Sequence, residues 1–264
     1  MQRTRSTGVQ SPVWLAQNLA VVADYVTPLQ HIGHWDGRGR AILTNDGQSA
    51  VLTLSDRSCR PVLAGGLLDG RFLFEQLHFH WGPNDAVGSE HVVDGRRHSM
   101  EAHLVHFNAR YRTFREALDK RDGLAVVALL LHAHESSNDW PPLEPIVEAL
   151  ARIRRPGTTT TLPADCLRWL RRLEEHDRHH YYTYHGSLTT APYCESVRWL
   201  VYDVPTLVSP RQTAAFRTLL QQATGSAADR FTPIRSNFRP LQVDVPGDLV
   251  YVRRSAQSLP RSKL

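Results

Sequence analysis

Apolar and polar residues alternate along residues 71–80 (RFLFEQLHFH), a pattern that predicts a half-buried β-strand. Residues 99–107 (SMEAHLVHF) alternate in the same way. Residues 124–132 (LAVVALLLH) form an unbroken apolar run, which reads as a strand buried on both faces. Residues 197–204 (VRWLVYDV) predict a further strand. Helical signals are fewer. Ser209 followed by Pro210 reads as an N-cap with proline at the first helical position, and Phe216, Leu219, Leu220 and Ala223 continue at helical spacing before Gly225. Residues 143–154 carry a second helical stripe. Strands and helices do not alternate regularly. The expected class is therefore α+β: one domain on a large, mostly antiparallel, twisted central sheet with short peripheral helices.

Composition narrows the picture. The chain has 264 residues, within reach of one large domain, and shows no internal repeat or long linker. It is 41% hydrophobic and 22% charged, with 16 Gly and 16 Pro, which excludes collagen-like and wholly disordered chains. The net charge is +5, but the arginines are scattered and form no stripe with interleaved aromatics, so nucleic-acid binding is not expected. No apolar run approaches about 18 residues, so no membrane-spanning helix is predicted. The start, MQRTRSTGVQSP, lacks the apolar core of a secretory signal. Three cysteines (Cys59, Cys166, Cys194) are too few for a disulfide scaffold and fit a reducing compartment. The chain ends Ser262-Lys263-Leu264, the peroxisomal address, which implies a cytoplasmic or peroxisomal protein and an import receptor as partner.

Fourteen histidines change the picture most. His78 and His80 form an H-x-H pair, as do His132 and His134 where the buried strand runs into a polar loop. Such a pair alone means little. Its setting matters more, because side chains at i and i+2 of a strand share a face. Gln76, His78 and His80 then line one face of their strand, and Glu101, His103 and Val105 one face of theirs. If the two strands are neighbours, His78, His80 and His103 converge; if not, they are three unrelated histidines. Three neutral imidazoles leave a tetrahedral metal one open position, the layout of a catalytic zinc site. Gln76 and Glu101 are suitable acceptors for the outer nitrogens of the rings. His106 falls on the opposite face from His103.

At this point the sequence resembles the α-class carbonic anhydrases. The resemblance rests on the stretches 76–82 (QLHFHWG), 89–94 (SEHVVD), 100–108 (MEAHLVHFN) and 185–192 (HGSLTTAP), with Glu195 and Trp199 following. Gln10-Ser-Pro12, residues 122–126 (DGLAV) and residues 237–240 (NFRP) add to it, in the family's order. The domain expected is 9–249, preceded by a short lead (1–8) and followed by a tail (250–264), with the segment before Gln10 shorter than the family's.

The resemblance implies zinc on His78, His80 and His103, and hydration of carbon dioxide to bicarbonate by zinc-hydroxide attack. It implies Thr189 as the residue that orients the hydroxide and Glu90 as its carboxylate partner. Gln76, Glu101, His91 and Asn237 match residues that support the ligands, and Arg239 a buttress of the site. Val105, Val126, Leu188, Val197 and Trp199 match the apolar wall that holds carbon dioxide, and Thr190 a substrate contact. A monomer is expected. The position of the family's proton-shuttling histidine is Gln48, and a cavity-lining position near it is Val51. Glutamine carries no charge near neutral pH, so proton transfer is expected to limit the rate, with His98 or Glu75 as candidate substitutes. The alternative is a catalytically silent binding protein of this family, although all three ligands are present. A zincin protease is not expected, since His134-Glu135 lacks the second histidine of H-E-x-x-H.

Overall fold

The structure is a computed structural model, and it describes residues 9–24, 27–171, 180–223, 230–242 and 246–253. The lead 1–8 and the terminal Ser262-Lys263-Leu264 lie outside them. Ten strands form the main path of the sheet. In chain order they are β1 (Val21–Asp24), β2 (Arg40–Asn45), β3 (Ala50–Ser55), β4 (Phe72–Trp81), β5 (Met100–Asn108), β6 (Leu124–Ala133), β7 (Thr159–Leu162), β8 (Tyr181–Gly186), β9 (Val197–Tyr202) and β10 (Val250–Arg253). Their spatial order is β7-β2-β3-β4-β5-β6-β9-β8-β10-β1.

The sheet is mixed. Its centre, β3-β4-β5-β6, is antiparallel, whereas β6 runs parallel to β9 and to Thr206–Val208, and β10 runs parallel to β1. The parallel joins follow from long connections: about 60 residues separate β6 from β9, far more than a hairpin uses. Val250–Arg253, expected in a tail, form β10 instead. They pair with β8 and β1, and Val252 is fully buried, so cross-strand pairing carries the sheet past residue 249.

The helices described from end to end are short and peripheral: α1 (Phe114–Ala117), α2 (Glu144–Leu150) and α3 (Pro210–Phe216). Ser209 caps α3 through the amide of Gln212, in a reciprocal capping box. The helical stripe expected to reach Ala223 stops at Phe216. Leu220–Gln222 pairs with Phe231–Pro233 instead, and the amide of Leu220 donates to the carbonyl of Arg154. Only Phe216 and Leu219 of that stripe are buried, so tertiary pairing overrides the local pattern.

Period 2 along β5 and β6 sorts side chains into two cores. Leu104, Ala125, Val127, Leu129 and Leu131 join the larger cluster on one face. Val105, Phe107, Leu124, Val126 and Ala128 join Trp199 and Val201 on the other. Every residue of β6 except His132 is buried, as the continuous apolar run predicts.

The larger core also holds three imidazoles. His34 Nε2 lies 3.0 Å from His106 Nε2, His106 Nδ1 donates to the carbonyl of Leu104, and His31 packs edge-on to His34 at 5.4 Å. Burial pushes His106 down to about 3 and His34 well below its ordinary value, the latter helped by His106, His31 and Arg57. Both groups fold neutral and titrate near 6.5 when unfolded, so the unfolded chain binds more protons below that pH. Stability is therefore complete above pH 6.5 and falls as pH drops, by up to about 1.4 kcal/mol per pH unit for each group. Urea unfolding between pH 7 and 5 checks this: His34→Phe should lower stability at pH 7 yet flatten the acid slope by about one proton.

Candidate active site

Register brings the three histidines together. In β4 a bulge lies between Phe74, opposite His106, and Gln76, opposite Val105. The extra residue, Glu75, reverses the pleat, so Phe74 faces the larger core while Gln76, His78 and His80 face the other way. His78 then stands opposite His103, and His80 opposite Glu101. The three rings lie 4.6 to 5.1 Å apart, centre to centre.

Each ring has one nitrogen tied to an oxygen. His78 Nδ1 donates to Gln76 Oε1 at 2.9 Å, His80 Nδ1 to the carbonyl of Asn237 at 3.1 Å, and His103 Nε2 to Glu101 Oε1 at 2.7 Å. The remaining nitrogens, Nε2, Nε2 and Nδ1, are lone-pair acceptors. His78 Nε2 and His80 Nε2 face each other at only 3.0 Å. With both outer nitrogens protonated, the two facing lone pairs suit a cation bound between them. Burial lowers all three pKa values, His80 to about 4, which keeps the rings in the neutral ligating form. The residues present therefore fit a metal ion with nitrogen ligands. The second group of close donors, His91, Glu101 and His103, is explained otherwise: two imidazoles donate to one carboxylate.

That carboxylate is fully buried. Glu101 accepts from His103 Nε2, from His91 Nδ1 at 2.6 Å, and from the amides of Glu90 and His91 at 2.9 and 2.8 Å. Burial pushes its pKa up, but His91 and His103 outweigh that and hold it well below the usual carboxylate range. His91 Nε2 lies 2.7 Å from the Tyr184 hydroxyl, which donates to Ser11 Oγ. Gly186 lets this layer close, since a Cβ there would lie 2.2 Å from Ser11 Oγ.

Glu90 is also fully buried, and burial raises its pKa to about 7 against the pull of His103, Thr189 and the Arg239 amide. Its Oε1 accepts from the Arg239 amide at 2.7 Å, while no hydrogen bond closes on Oε2. Thr189 is thus near enough to favour the charged carboxylate without a formed bond. Arg239 Nη1 donates to Gln10 Oε1 and to the carbonyl of Ser11, and its guanidinium stacks on Tyr193 at 4.1 Å. Val105, Val126, Val197 and Trp199 form one buried apolar cluster with Leu188 packed against it, and the Trp199 ring lies 4.9 Å from that of His103.

A narrow cavity of about 100 Å³ opens beside the ligands. It is lined by Asp46, Gln48, Ser49, Val51, Gln76, His78, His80, Thr190 and Asn237. The Asn237 side chain holds this wall, donating to the carbonyls of Gln48 and Phe79 and accepting from the Trp81 amide. Neither His98 nor Glu75, the two residues expected to take part in proton transfer, is among its lining residues. His98 is buried against His132, and burial lowers it to about 4. Glu75, displaced by the bulge, pairs with Arg60 at 3.0 Å. Sequence reasoning missed Asp46, Ser11 and Tyr184. For Ser11 a signal existed, the Gln-Ser-Pro motif, but nothing in it named a partner some 170 residues away.

Glu101→Gln tests the central carboxylate. It replaces an acceptor-only group by one that donates as well, so four donors lose part of their partner. The variant should lose about 2–4 kcal/mol of stability by urea unfolding.

The family model of eukaryotic-type carbonic anhydrase matches residues 3–246. Human carbonic anhydrase 7 is 38% identical over 237 residues, covering 88% of this chain and 84% of the relative. Human carbonic anhydrase 3 is 36% identical over 211 residues, covering 79% and 76%. Rat mitochondrial carbonic anhydrase 5A is 35% identical over 237 residues, covering 88% and 73%. With its family model matched over nearly the whole sequence, this chain belongs to the eukaryotic-type carbonic anhydrase family of enzymes.

Proposed function

We propose that this chain catalyses the reversible hydration of carbon dioxide to bicarbonate and a proton at a zinc ion held by His78, His80 and His103. The observation that carries the reading is the pair of facing ring nitrogens, His78 Nε2 and His80 Nε2, 3.0 Å apart in a neutral three-histidine cluster with His80 and His103 buried and His78 half-buried. Zinc, when bound there, supplies Lewis acidity that lowers the pKa of a water to about 7. The chain's own residues hold the ligands in place and orient the nucleophile. Gln76, Glu101 and the Asn237 carbonyl fix the tautomer of each ring, so each presents a lone pair inward. His91 is held between Glu101 and Tyr184 and keeps that layer rigid.

Thr189 and Glu90 orient the nucleophile. An ionised carboxylate only accepts, so Thr189 must donate to Glu90 and then offers its lone pair to the O–H of the attacking oxygen. The free Oε2 of Glu90 is the acceptor available for that bond. The attacking lone pair is thereby turned toward the apolar wall of Val105, Val126, Leu188, Val197 and Trp199. Carbon dioxide has little to hydrogen-bond, so an apolar surface beside the nucleophile suits it, and Thr190 serves the polar product. The proton must then leave through the narrow cavity. Gln48 lines it but cannot carry charge, and Val51, paired with His78, replaces polar surface by apolar. Proton export therefore limits turnover.

Metal analysis with stopped-flow hydration tests the reading. Purified protein should hold about one zinc per chain, and chelation should abolish the rate. No zinc-dependent rate above buffer would overturn it. Thr189→Ala should slow hydration about a hundredfold with zinc content unchanged. Gln48→His should raise the rate about tenfold or more in weak buffer, and no change would refute the proton-export argument.

A further inference from the structure

Among the residues that line the cavity, Asp46 carries the one carboxylate. Its Oδ1 accepts from the amides of Gln48 at 2.8 Å and Ser49 at 2.7 Å, which fixes the side chain against the wall. Among the described residues no cation is paired with it, and it shares the cavity lining with His80. A negative charge with no counter-ion therefore stands at the opening through which a proton acceptor must approach. With Gln48 unable to relay, that acceptor comes from solution.

We propose that Asp46 selects the external proton acceptor, favouring neutral bases that leave as cations, such as imidazole, over anionic bases such as hydrogen phosphate. This rests on the zinc-enzyme reading above. In the step, the base takes one proton at its lone pair and departs with one more positive charge. A neutral base meets no repulsion on entry, and its protonated product forms beside a carboxylate. A dianion is repelled on entry, and its product is still an anion. In a wet opening each unit of charge some 6–8 Å from Asp46 is worth roughly a threefold factor, so two units separate the acceptors by about tenfold. The effect is one of field and approach, so salt weakens it.

Asp46→Asn is the suitable variant, because the amide oxygen can still accept from the Gln48 and Ser49 amides. The zinc-loaded wild type and variant are compared in stopped flow, with imidazole and with phosphate as the sole buffer. At low ionic strength the ratio of imidazole-dependent to phosphate-dependent rate constants should fall about tenfold in the variant, and the difference should shrink by about 0.5 M salt. A second readout needs no turnover. Binding of 1-methylpyridinium, a flat cation with no lone pair for a metal, is followed by NMR at the Gln48 side-chain amide. Its apparent Kd should rise about threefold or more in Asp46→Asn. An unchanged buffer ratio overturns the proposal. If neither protein hydrates carbon dioxide, it is the zinc-enzyme reading that fails, and the methylpyridinium comparison alone decides: an unchanged Kd then rejects Asp46.

Discussion

The site is organised around a buried negative charge. Glu101 has no contact with solvent, yet four donors converge on it: two imidazoles and two consecutive backbone amides. A carboxylate in such a place is costly unless every lone pair is used, and here it is stabilised well below the usual range by its partners. Those same bonds do structural work in three directions. They fix the ring of His103, they fix His91 against Tyr184, and they pin the backbone that carries Glu90. One of the three clustered histidines, His103, and the backbone of Glu90 thus lean on one anion.

The sheet supplies the rest by geometry. A single extra residue in β4, at Glu75, exchanges the two faces of the strand between Phe74 and Gln76. On one side Phe74 joins the His34–His106 cluster in the larger core, and on the other His78 meets His103. Because β6 is buried on both sides, the two faces are packed independently. Burial lowers the pKa of the three imidazoles and keeps them neutral, and burial also lifts Glu90 to about 7. The Arg239 amide, held through Gln10 and Ser11, offsets part of that.

The cavity that serves this centre is narrow and, at its mouth, chemically unusual. Its lining sets a neutral Gln48 and an apolar Val51 beside Asp46, which has no cationic partner among the described residues. On the proposed reading, Thr189 and Glu90 orient the nucleophile, while export of the proton is left to the solvent and to the field of Asp46.

Much of this was legible in the chain. Period-2 alternation placed His78 and His80 on one face and His103 on one face of a second strand, because strand side chains must alternate. The unbroken apolar run of β6 required burial on both sides. Motif resemblance named the family. Three things escaped. The stripe after Ser209 looked helical to Ala223, but pairing with Phe231–Pro233 is a long-range contact that local spacing cannot report. The sequence pattern ended the domain at residue 249, whereas Val250–Arg253 complete the sheet between β8 and β1. His98 and Glu75 looked available for proton transfer, but burial and the bulge turn both away from the cavity. By itself, then, the sequence determined residue types and their local faces, which follow from backbone periodicity. Only the tertiary structure decided which faces meet, which polar atoms find partners and which groups reach water, because these depend on contacts between residues far apart in the chain.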